Sequence, residues 1–231
     1  MINNKNKTLS AVITSDSVLS VIIDDDSVIY NSTTYLVDEF ISKKHAGDFI
    51  DYHINILNAT DKFVISDNNN YEDNEDFSVG CQKFTGQNIY IKFIQHFKDL
   101  NTSKHVCALL DHYYYLSERD VIHLHFEKNA MHLYIKQNGL FILYNVYNVE
   151  NEIDVLYFCN LAFDSLNEQL KPENLWILSG WIDKDSVYEK TLLKYFPSFT
   201  YVKTPISFLG GPSKLNNHYF FLHYLNQLCE S

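Results

Sequence analysis

Glycine is scarce in this chain, with only 7 residues, and proline scarcer still, with 4. That leaves few places for a glycine-rich phosphate loop, and neither GxGxxG nor GxxxxGK[ST] occurs. The only glycine pair, Gly210-Gly211-Pro212, lacks such a context and reads as a turn before the last helix. No apolar run reaches the ~18 residues that would span a bilayer. The N-terminus, "MINNKNKTLS", has no apolar core of a signal peptide. The 4 cysteines lie far apart with no CxxC pair, which excludes zinc-knuckle and redox-motif readings. Reduced thiols and a cytoplasmic location are expected. Positive charge is also short: 18 Lys and Arg against 29 Asp and Glu give a net charge of -11. The basic residues are scattered, so no nucleic-acid stripe forms. No GxSxG motif and no Cys-His setting point to a nucleophile.

What is present in quantity is apolar and aromatic residue: 46% and 15% of the chain. Over 231 residues this supports one large domain or two small ones with a real core. Two segments share one pattern, "LSAVITSDSVLSVIIDDDSVIYNS" (9–32) and "IHLHFEKNAMHLYIKQNGLFILYN" (122–145). They align without gaps at an offset of 113 residues, matching Ile13 with Phe126 and Ile22 with Ile135. Each reads as three antiparallel strands joined by tight hairpins, with Asn138-Gly139 as the clearest type I′ turn. Ile122, Leu124 and Phe126 then share a core-facing side with Met131, Leu133 and Ile135. Asp24, Asp25 and Asp26 read as an exposed hairpin turn rather than a metal site, because adjacent strand residues point opposite ways.

After the second meander, Val155, Cys159, Ala162, Leu166 and Leu170 recur at helical spacing, with Asn151 as the cap. "LWILS" (175–179) reads as a buried strand parallel to a meander strand, "KDSVYEKTLLKYF" as a helix, "FTYVKT" as a strand and "NNHYFFLHYLNQLC" as a terminal helix. In the first half, "GDFIDYHINILNA" (47–59) and "NIYIKFIQHFKDL" (88–100) read as helices and "KFVIS" (62–66) as a strand. "DNNNYEDNED" (67–76) reads as an acidic, flexible loop. Both halves therefore give β-β-β-α-β-α, an α/β fold of two like lobes over residues 1–118 and 119–231.

That order is found in the actin-like ATPase, ribonuclease H-like superfamily. The second half also resembles a family of uncharacterised Bacteroidetes proteins with an actin-like ATPase fold. Leu143, Asn145, Tyr147, Asp154, Leu156, Tyr157, Gly180, Ser186, Tyr188, Tyr195 and the ending Leu228-Cys229-Glu230 match that family's runs. The resemblance covers about the last 110 residues and implies the fold; the first lobe is shortened. Active members of the superfamily bind ATP between their lobes. Each lobe offers a phosphate turn of the form D-x-G-x-[ST], where an acid holds Mg²⁺ through water, and the second adds an adenine corner, L-x-G-G. Here the first turn is Thr14-Ser15-Asp16-Ser17, without glycine. The second is Glu127-Lys128-Asn129-Ala130, with an acid at Glu127 but Asn129 for glycine. The corner is Ser179-Gly180-Trp181, where an indole replaces the second glycine and is expected to fill the volume of a base.

The nucleotide site is accordingly expected to be degenerate, with Glu127, Asn129, Gly180 and Trp181 as its remnants and no cofactor. The alternative is an ATP- and Mg²⁺-binding ATPase or kinase-like enzyme with divergent loops, in which Trp181 stacks on the base. A ribonuclease H-like nuclease fails because the first strand carries no acid. His123, His125 and His132 fall on one sheet face and are candidate zinc ligands. They equally suit a solvent-facing or half-buried polar sheet face, and splayed side chains fit a metal poorly, so no metal is expected. "DHYYYLSERD" (111–120) offers an exposed tyrosine for a protein interface or a linker between lobes. The expected function is non-catalytic: binding of a protein partner or self-association, with no nucleic acid and no membrane.

Overall fold

The computed structural model describes residues 7–14, 17–23, 28–45, 53–59, 63–67, 78–95, 104–166, 174–196, 198–205, 207–208 and 216–228. The Asp24–Asp26 turn, Gly210-Gly211-Pro212, the Cys229-Glu230 ending and all of the acidic loop but Asp67 fall outside them. The chain divides into two compact units, residues 1–113 with 204–231, and residues 114–203.

Unit 1 begins with the first meander: β1 (Thr8–Ile13), β2 (Ser17–Ile23) and β3 (Val28–Leu36). Next come α1 (Val37–His45), β4 (His53–Asn58), β5 (Phe63–Ser66), β6 (Ser78–Lys83), β7 (Tyr90–Gln95), β8 (Lys104–His105) and α2 (Val106–Tyr114). The last residue of α2, Tyr114, belongs to unit 2. Unit 2 holds β9 (Val121–Phe126), β10 (Ala130–Gln137), β11 (Leu140–Asn148), α3 (Glu152–Ser165), β12 (Leu175–Gly180), α4 (Val187–Tyr195) and β13 (Thr200–Tyr201). The chain then returns to unit 1 through β14 (Ser207–Phe208), a 3₁₀ turn (Asn217–Phe220) and α5 (Phe221–Leu228).

The sheet orders are β14-β3-β2-β1-β4-β8 and β11-β10-β9-β12-β13, with a separate β5-β7-β6 sheet in unit 1. In each large sheet, the meander's first strand pairs in parallel with the strand that follows the helix, β1 with β4 and β9 with β12. The repeat is faithful in detail. β9 follows β1 by 113 residues (8 to 121), and a register shift falls between Ile22 and Ile23 and again between Ile135 and Lys136. The backbone bond from Ala59 N to Ile13 O recurs from Trp181 N to Phe126 O, both 2.7 Å.

Three features differ from the sequence expectation. Residues 53–58 and 90–95 are strands, not helices. In the latter, Ile91 and Phe93 are buried at alternate positions, the period of a strand. Where α4 stands between β12 and β13, unit 1 places the β5–β7 sheet between β4 and β8. The C-terminal segment, expected in the second lobe, groups with unit 1: α5 packs on β1 and β4. There His223 Nδ1 and Asn226 Nδ2 both reach Ser10 Oγ at 3.0 Å.

The core of unit 2 lies between one sheet face and two helices. Ile122, Leu124, Phe126, Met131, Leu133 and Ile135 meet Val155, Cys159 and Ala162 of α3 and Leu192 of α4. The start of α3 is fixed by Asn151, whose side chain accepts from Ile153 N and Asp154 N, while Asp154 answers to the Asn151 N–H. Burial raises the thiol pKa of Cys159 to about 12, and Cys81, Cys107 and Cys159 are all free thiols. Among the described residues no helix is long and apolar enough to cross a membrane.

Candidate functional site

Because β9 and β12 are parallel and in register from Val121↔Leu175 to Phe126↔Gly180, their carboxyl ends coincide. The turn after β9 and the corner after β12 are thereby brought together, placing Glu127, Asn129, Gly180 and Trp181 at one end of the sheet. Open α/β sheets bind ligands outside such strand ends.

The turn closes on itself. Glu127 N donates to Ala130 O at 2.8 Å, and Asn129 O accepts from Val149 N at 3.0 Å. The carboxylate of Glu127 faces inward: Oε1 lies 3.2 Å from His132 Nε2, and neither atom makes a hydrogen bond to another described group. In unit 1 the corresponding turn is also closed. Thr14 N donates to Ser17 O at 2.9 Å, and Ser17 N donates to Thr14 Oγ1 at 3.1 Å. Ser15 and Asp16 lie outside the described residues.

At the corner, Gly180 has φ +79°, and a Cβ there would lie 2.0 Å from Phe126 O and 2.9 Å from His125 Cε1. The glycine is needed for the approach of β12 to the backbone of β9. Ile182 N donates back to Gly180 O at 2.8 Å, closing a three-residue turn about Trp181. The Trp181 side chain is 63% exposed. It stands largely in solvent beside the corner.

The histidines are not on a solvent-facing or half-buried sheet face. His123, His125 and His132 are fully buried, and all six residues of β9 are buried. They form a polar layer on the side of the sheet opposite the apolar core. Tyr114 OH lies 2.7 Å from His123 Nδ1, and His123 Nε2 lies 2.6 Å from Ser179 Oγ. Ser179 Oγ is in turn 2.8 Å from His125 Nδ1. His132 Nδ1 meets Tyr144 OH at 2.7 Å, and its ring packs edge-on against His125. One proton assignment satisfies the first chain: Tyr114 donates to His123, His123 to Ser179, and Ser179 to His125. Burial, then the charge of His132, lowers the His123 pKa to about 3, so His123 is neutral at pH 7. Both its nitrogens are engaged. Among the described residues no three His, Cys, Asp or Glu side chains are grouped to hold a metal.

Lys136 completes this layer. Its side chain is buried, and Nζ donates to Tyr114 O, and at 3.1 Å each to Tyr115 O and Ser117 O. The ammonium thus caps the C-terminal carbonyls of α2. The tyrosine run accordingly ends a helix instead of forming a loose linker: Tyr114 is buried and Tyr115 exposed. Sequence reasoning paired His125 with His132 across the hairpin correctly, but missed Ser179, Tyr144 and Lys136. The available signal was Tyr134 and Lys136 on the strand face already carrying His132.

The family described as "Protein of unknown function (DUF3822)" matches residues 3–199, and the chain belongs to it. A solved Bacteroides thetaiotaomicron protein with actin-like ATPase fold and unknown function is similar at a TM-score of 0.68 and 17% identity, covering 98% of this chain and 99% of the other. The PilM-PilN type IV pilus biogenesis complex is similar at a TM-score of 0.60 and 7% identity, covering 97% and 98%. No curated protein gives a significant match. The fold is therefore that of the actin-like ATPases.

Proposed function

We propose that this member of the DUF3822 family is a non-catalytic protein of actin-like fold that acts by protein–protein contact, its nucleotide site degenerate. One observation carries the reading: groups that would meet a triphosphate are already used within each unit. Thr14 N, Ser17 N and Glu127 N close their own turns, and the Glu127 carboxylate faces His132. A phosphate nest needs free N–H groups and an acid open to Mg²⁺. Gly180 has a structural reason to be glycine without any base beside it.

The partner side of the proposal is supported by exposed large hydrophobics on unit 2 and, by fold analogy alone, by the similarity to a PilM-PilN complex. Free described thiols and the absence of a basic stripe fit a cytoplasmic protein that binds neither nucleic acid nor membrane. The second reading, an ATP- and Mg²⁺-binding enzyme, is favoured by the exposed indole of Trp181, since an open aromatic face can stack on a base. An ATP turnover assay with Mg²⁺ separates the two. The proposal expects no turnover; a measurable kcat abolished by Glu127→Gln would sink it.

A further inference from the structure

α3 and α4 lie side by side over one face of the unit 2 sheet, and their buried sides fill the core. Their outer sides are not polar. On α3, Ile153, Tyr157 and Leu161 form a stripe at intervals of four residues, one helix face. On α4, Val187, Leu193 and Tyr195 are open as well, and the six side chains are between 46% and 68% exposed. Together they leave several hundred Å² of apolar surface in water, at or above the ~600 Å² upper end for a monomer's largest patch.

The charges beside these stripes differ in sign. Residues 150–166 contain four acids and no Lys or Arg, with Glu150 and Asp164 exposed. The exposed charges of α4 are Lys190 and Lys194, because its one acid, Glu189, is buried under Tyr201 OH and Asp185 N. An acidic apolar helix beside a basic apolar helix is self-complementary. A two-fold axis parallel to the helices lays α3 of one copy on α4 of the other, apolar stripe on stripe and acid against lysine.

We infer that this two-helix face is an isologous interface and that its occupant is a second copy of this chain. The inference supplies the partner for the interaction reading above and rests on it. The net charge of -11 opposes association at long range, so the test belongs near 0.15 M salt, where the Debye length is about 8 Å and local pairs dominate.

Sedimentation velocity of the full chain should show a reversible species of twice 27.1 kDa. Tyr157→Asp should abolish it. Asp164→Lys should weaken it at least tenfold, and adding Lys194→Glu should restore it. All are exposed positions, and an unchanged thermal midpoint verifies folding. A 27.1 kDa species at every concentration overturns the inference. So does a dimer indifferent to Tyr157→Asp, or one that the double exchange fails to restore. Failures of the two readings are separable: a dimer that binds ATP refutes the degenerate site alone, whereas a monomer that binds none refutes this interface alone.

Discussion

Replacing Gly180 with alanine tests why the glycine is there. The added Cβ would sit 2.0 Å from Phe126 O and 2.9 Å from Phe126 C. Those are backbone atoms of a central strand, so no side chain can swing aside. A non-glycine residue at φ +79° costs on the order of 1–3 kcal/mol. Overpacking adds about 1–3 kcal/mol. The 2.7 Å bond from Trp181 N to Phe126 O must also lengthen, for roughly another 1 kcal/mol. A loss of about 3–6 kcal/mol follows, concentrated in unit 2. At roughly 4–8 °C per kcal/mol for a unit of this size, its thermal midpoint should fall by at least about 12 °C. Calorimetry reads this directly. Trp181→Ala is the control: its exposed side chain should change stability by no more than about 0.5 kcal/mol. A Gly180→Ala protein melting within about 2 °C of wild type would refute the reasoning, because the glycine would then need another explanation, and a base against bare backbone is the obvious one.

Other outcomes follow from the same layer of buried groups. Lys136→Met removes the cation that holds Tyr115 O and Ser117 O; roughly 3 kcal/mol should be lost, seen as a lower urea midpoint. His123 and His223 each have a pKa lowered to about 3, in both cases chiefly by burial. The unfolded chain therefore binds more protons than the folded one between about pH 6.5 and 3. Stability is full above that window and falls as pH drops through it, by up to about 1.4 kcal/mol per pH unit for each histidine. His123→Gln should flatten this slope in pH-dependent urea unfolding, and an unchanged slope would contradict the buried, neutral assignment.

How far the sequence could be read depended on whether a pattern had one physical meaning. Alternation between Asn138-Gly139 and the earlier turns admits only a meander, and β9–β11 lie where it puts them. The cap at Asn151 and the spacing of Val155, Cys159 and Ala162 likewise have one reading. By contrast, "HINILN" satisfies both a helical and an alternating pattern, and its neighbours Phe49 and Ile50 tipped the reading toward a helix. Ile89, Ile91 and Phe93 did alternate, but the apolar residues continuing to Phe97 imitated a longer amphipathic run. The polar layer was hidden for a different reason. A histidine on a strand reads as solvent-facing unless its partners are known, and Ser179 lies 54 residues from His125. Only the parallel pairing of β9 with β12 brings them together. Trp181 was placed at the right corner, yet bulk alone could not tell a buried indole from an exposed one.

The central claim is that the closed turns and the engaged Glu127 leave no place for a triphosphate. Titrating the full chain with a fluorescent ATP analogue and Mg²⁺ tests it most directly. The account predicts no saturable binding at micromolar analogue; saturation in that range, lost on Glu127→Gln, would contradict it.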